Sequence, residues 1–185
     1  MLATYRCNEI KEQAIVQYER ELSDFNKKTN NGFMDNFKSI CEQLMGKILA
    51  SYDETAKNYY ERIYKEVRES LISFLLNQFY MGFSNQGRLF IPLSQKHFKK
   101  DIEKELKTNE NFTEIVGRLK TRHLEHFVNS MKRIQLTEHW DLNLNSIIEI
   151  FDDVITNFRK TQLSEKRKEQ TVNINYYLEK NQKTN

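Results

Sequence analysis

The chain has 185 residues, 38% hydrophobic, 12% aromatic and 30% charged, so it can bury a core while keeping a well-solvated surface. One proline and five glycines are too few for the turns of an all-β fold, and two cysteines exclude a disulfide framework and suggest reduced thiols. A net charge of +3, from 29 basic and 26 acidic side chains, gives no strong case for nucleic acid, and no apolar run reaches membrane-span length.

The periodicity predicts an all-α protein of about six long amphipathic helices, arranged as one or more elongated helical bundles. A first helix is expected from Thr4, a plausible N-cap, to Phe25, with Ile10, Ala14, Tyr18, Leu22 and Phe25 as its apolar stripe. Asn26 to Gly32 is polar, ends in glycine and reads as a loop. From Phe33 the spacing of Phe37, Ile40, Cys41, Leu44, Met45, Ile48 and Leu49 marks a second helix, with Cys41 as a small buried hydrophobe. A turn is expected near Ser51 or Asp53, either of which could cap the next helix.

The run from Ser51 to Phe79 is the organising stretch. It has no glycine or proline, and Ala56, Tyr59, Tyr60, Ile63, Val67, Leu71 and Phe74 fall three or four apart. A helix of roughly 27 residues would be about 40 Å long, with Glu61 and Lys65 paired on its outer face. Gly82, Gly87 and Pro92 then form the clearest interruption in the chain. They divide it into a first bundle segment at 1–81, a break or joint at 82–94, and a second bundle segment at 95–168. A frayed or truncated tail at 169–185 is expected beyond that. Ser94, at the end of the joint, can cap a helix to Leu106 whose basic face carries Lys96, Lys99, Lys100, Lys104 and Lys107 among acids, a solvated pattern. After a loop at Thr108–Asn111, helices are expected from Phe112 to Gln135 and from Asn143 to Leu163.

Chemistry-bearing patterns are sparse. His123 and His126 lie at i,i+3, but no third ligand has a spacing that would complete a metal site. Glu149, Asp152 and Asp153 form a carboxylate cluster on a helix with no cleft implied. No Walker loop, nucleophile elbow or Glu-x-x-His pair occurs, so no catalytic, cofactor-binding or metal-binding residue is assigned, and a di-metal bundle enzyme is set aside. Trp140, the only tryptophan, lies between two helices, as a packing anchor or a partner contact.

Tyr5 to Ile10, Tyr52-Asp53 with Ala56, Tyr59 and Tyr60, Phe112 to Val116, Trp140-Asp141 and Gln162 to Glu165, taken together, resemble the Sey / root hair defective family of dynamin-like GTPases, which fuse endoplasmic reticulum membranes. Tyr5-Arg6-Cys7-Asn8-Glu9-Ile10 is similar to the point where that family's helical region begins after its GTPase domain. Tyr52, Asp53 and Ala56, followed by Tyr59 and Tyr60, resemble a second stretch. Phe112 to Val116, Trp140-Asp141 and Gln162 to Glu165 come in the family's order. The resemblance implies that the chain is part of a helical stalk, relaying GTPase-domain rearrangement mechanically on the cytosolic face of the endoplasmic reticulum. GTP and Mg would be bound by an upstream domain and none by this chain. Its partners would be a second copy and the adjoining GTPase domain, with membrane contact only through C-terminal spans and no nucleic acid. Arg6 and Glu9 would lie near the GTPase junction. Read by itself, the chain is soluble, and a free-standing helical adaptor is the rival.

Overall fold

The computed structural model describes residues 2–106 and 111–182, with side chains through residue 165 and at 168. The described residues form six α-helices and no strand: α1 Leu2–Gln17, α2 Glu19–Asn31, α3 Phe37–Ala56, α4 Glu61–Glu105, α5 Phe112–Ile134 and α6 Asn145–Gln182. They group into two compact units, each discontinuous in sequence. Unit 1 comprises residues up to Ser94 together with Glu125–Leu142; unit 2 comprises Gln95–Leu124 and the chain from Asn143 onward.

In unit 1 the single helix expected over residues 4–25 is two. The ladder breaks at Tyr18, whose φ of −109° and ψ of 13° lie in the bridge region. It resumes at once, with Leu22 N donating to Tyr18 O at 2.9 Å. Thr4 is inside α1 and caps nothing. The loop expected at 26–32 is also mostly helix, because Phe25 and Thr29, one turn apart, are both buried and hold the last turns of α2. The polar residues that suggested a loop are its outer face. Helix α3 therefore starts at Phe37 rather than Phe33.

Ser51 ends nothing. Its Oγ donates to Gln17 Oε1 at 2.7 Å while α3 runs on to Ala56. With Lys47 Nζ on Glu21 at 2.7 Å, the pairing of rising against falling numbers makes α3 antiparallel to the α1–α2 arm. The chain turns instead at residues 57–60, inside the stretch expected to be one rod. An apolar stripe at helical spacing does not register a four-residue turn that keeps both flanks on the core.

The expected break at 82–94 is not an interruption of structure, since α4 is helical from Glu61 to Glu105 with Pro92 inside it. Gly82 has a packing role. A Cβ there would meet Phe37 at 3.1 Å and Phe25 at 3.3 Å, so only glycine lets α4 approach those rings undisturbed. Phe25 lies 5.5 Å from Phe37 and 5.3 Å from Phe79 between ring centroids, forming an aromatic centre for the unit. Ser94, expected as a cap, is buried within the helix.

Unit 2 packs the C-terminal end of α4, the N-terminal half of α5 and α6. Phe98, Ile102, Ile115, Leu119, Ile147 and Phe151 are fully buried there, and the Phe98 and Phe151 rings are 4.4 Å apart. Of the expected loop at Thr108–Asn111, residues 108–110 lie outside the described residues; Asn111 Oδ1 accepts from Thr113 N at 3.1 Å and starts α5. Asn143 does the same for α6 through Asn145 N at 3.0 Å. Helix α6 does not stop at Leu163 or fray beyond residue 169, and continues to Gln182.

Candidate functional site

The two stretches that carry the N-terminal half of the family resemblance meet in unit 1. Cys7 and Ile10 of α1 are buried, as are Tyr52 and Ala56 at the end of α3. The Tyr52 hydroxyl donates to the backbone carbonyl of Tyr64 at 3.2 Å, and the two tyrosine rings stack 5.8 Å apart. Burial first, then the neighbouring Cys7 thiol, push the Tyr52 hydroxyl above its ordinary value, so it stays a neutral donor.

Asp53 is the centre of this corner. Its Oδ1 accepts from the Tyr64 hydroxyl at 2.6 Å and from Arg68 Nε at 2.8 Å, and its Oδ2 accepts from Arg68 Nη2 at 3.1 Å. The guanidinium fork fits the carboxylate with two bonds, which fixes geometry as well as charge. Desolvation works to raise the Asp53 carboxyl; the bonds from Arg68 and Tyr64 outweigh it and hold the group below its ordinary range. Tyr64 and Arg68 were not singled out by the sequence. The signal was their spacing: one turn apart, just past a turn that brings them against Asp53. Chemically the cluster is a brace across the α3–α4 turn, with no nucleophile paired to a base.

The other expected positions separate. Arg6 and Glu9 pair with each other at 2.7 Å on an exposed face of α1. Trp140 is buried, 5.8 Å from Tyr80 and 5.1 Å from Phe83 between ring centroids, while Asp141 is exposed. The Trp140 carbonyl accepts from Gln135 Nε2 at 2.8 Å, so the residue is anchored by both its ring and its backbone.

In unit 2, His123 Nε2 lies 2.9 Å from Asp101 Oδ2, an oxygen that also accepts from Arg122 Nη2 at 2.7 Å. The His123 ring packs edge-on against Phe98 and Phe151, whereas His126 packs on Phe90 in unit 1, so the pair do not share a ligand position. Asp152 of the carboxylate cluster binds Lys120 Nζ at 2.6 Å. Among the described residues no group of three or more His, Cys, Asp or Glu side chains could hold a metal ion, and no helix is long and apolar enough to cross a membrane.

The sequence that builds these helices matches a known domain. The sequence profile of the Sey1 three-helix bundle domain covers residues 35–184. The chain belongs to the Sey1 family. Among curated relatives, Protein SEY1 of Mycosarcoma maydis is 26% identical over 98% of this chain and 22% of its own length. Protein SEY1 homolog 1 of Paramecium tetraurelia is 27% identical over 58% of the chain and 14% of its own length. Protein SEY1 homolog of Plasmodium falciparum is 32% identical over 42% and 8% respectively. The chain thus spans about a fifth or less of the length of these Sey1 proteins and corresponds to the family's helical segment. No solved structure matches it.

Proposed function

We propose that this chain is the helical stalk, or middle domain, of a dynamin-like GTPase that mediates homotypic fusion and tubular organisation of the endoplasmic reticulum, relaying rearrangements of a GTPase domain as movement of stiff helices. The observation that carries the reading is the match of the Sey1 three-helix bundle over residues 35–184. Support comes from the build of the chain: a relay needs packed rods that switch rather than bend, and α4 alone is 45 residues long. GTP and Mg would be bound by a GTPase domain elsewhere in the full protein. Partners would be that domain and a second copy, on the cytosolic face of the membrane. Arg6 and Glu9 would lie by the GTPase junction. The joint of residues 82–94 would sit at Pro92, whose ring removes one N–H from the α4 ladder and crowds the preceding turn.

The test is the native size and partitioning of the protein, read by antibody blot after cell fractionation. A band far larger than 22.3 kDa that stays with endoplasmic reticulum membranes is expected. A soluble band at the mass of the chain overturns the stalk reading and leaves a free-standing helical adaptor in its place.

A further inference from the structure

Between α2 and α3 the chain crosses residues 32–36 without a helical ladder, and the last carbonyls of α2 need partners from elsewhere. One side chain on α4 serves one of them, Thr29 O, together with the Gly32 carbonyl just past the helix. Gln86, fully buried on α4, donates through Nε2 to Thr29 O at 3.0 Å and Gly32 O at 3.1 Å, and accepts from Met34 N through Oε1 at 2.6 Å. Three of the four bonds a glutamine amide can make are thus spent on backbone more than fifty residues away in sequence. Beside it, Asn85 Nδ2 donates to Asn30 Oδ1 at 2.7 Å, and the Phe33 ring stacks on Phe90 at 4.3 Å. Gly82, one turn before Gln86 on the same face of α4, lets the two helices come this close.

We infer that residues 29–34 form a strap held on α4, with Gln86 as its latch, and that the strap opens as one unit while α4 stays folded. The cooperativity comes from the bonding. A single side-chain rotation releases two carbonyls and one amide together, and all three then find water. The ladder of α4 uses none of these bonds and is unaffected. Opening uncovers one face of Phe90 and frees the entry to α3, a local conformational step of the kind that low-stability segments supply.

The experiment is native-state hydrogen exchange on the 185-residue chain, residue by residue, in the wild type and in Gln86→Met. The Met34 amide is expected to be protected in the wild type, although it lies outside any helix. In Gln86→Met its exchange should quicken at least tenfold, together with its neighbours in 29–34, while amides at 71–79 of α4 keep their rates. Unchanged exchange at Met34 in the variant overturns the latch. Should Gln86→Met fail to fold, low denaturant on the wild type decides: exchange at Met34 with a shallower denaturant dependence than at 71–79 supports a separate opening, and the same dependence overturns it. Neither outcome bears on the stalk role, which fractionation decides.

Discussion

Arg68 grips Asp53 through two nitrogens, at 2.8 and 3.1 Å, across the turn that joins α3 to α4. Both side chains are about one-third exposed, so solvent screens the charge, and the worth of the pair lies mainly in its geometry. Arg68→Ala should lower unfolding free energy by about 1–2 kcal/mol, a charge-assisted bond lost at a half-buried site. Urea melts followed by far-ultraviolet circular dichroism measure this.

The same pair sets a direction with pH. The Asp53 carboxyl is held below its ordinary value of 3.8 in the folded state and titrates near that value when unfolded. Its contribution is therefore complete above 3.8 and is lost as pH falls through the lower folded value. Asp101 is shifted the same way, with desolvation again outweighed, here by His123 and Arg122. The stability gap between wild type and Asp53→Asn should be constant from pH 7 to 5 and shrink below pH 4. A gap that widens on acidification would contradict the assignment.

Glycines sort by what surrounds them. Gly46 and Gly117, both inside helices, have nothing within 4 Å of an added Cβ, so alanine at either should stabilise by about 0.5–1 kcal/mol through helix propensity. Gly82→Ala has the same propensity gain but meets Phe37 at 3.1 Å and Phe25 at 3.3 Å. It should gain nothing or lose about 1 kcal/mol, as overpacked sites do, and Gly82→Val should lose more. Thermal melts of the variants compare them directly.

Trp140 is the only tryptophan and reports on unit 1. Its emission should be blue-shifted in the native state and move to the red on unfolding. Trp140→Ala removes a ring packed on Tyr80 and Phe83 and should cost about 3 kcal/mol or more.

Both cysteines are fully buried, and burial pushes the Cys41 thiol up to about 12. Thiol reagents at pH 8 should leave the native protein unmodified and count two thiols once it is denatured.

How far the sequence could be read depended on whether a signal was periodic or positional. The stripes of α3 and α5 repeat every three or four residues, and Phe37, Cys41, Leu44 and Ile48 are buried as their spacing implies. The turn at 57–60 was missed because Tyr59 and Tyr60 keep the same period while the backbone changes direction. Gly82 and Pro92 misled in the opposite sense, since local propensity favours a break where tertiary packing keeps α4 continuous. Asp53 stood out in the sequence as a possible cap and within the resemblance, but not as the centre of a brace; its partners Tyr64 and Arg68, and the latch Gln86, depend on which helices meet, which one chain of letters does not display.

Because residues 95–124 interrupt unit 1, and residues 125–142 in turn interrupt unit 2, neither unit is a contiguous stretch of the gene. A stop after Ser94 keeps residues 1–94 of unit 1 and deletes its 125–142 part, with the buried Phe127, Met131 and Trp140. Terminal truncation therefore cannot deliver either unit without carrying part of the other. Shuffling of this segment between proteins should succeed only when it moves as a single cassette.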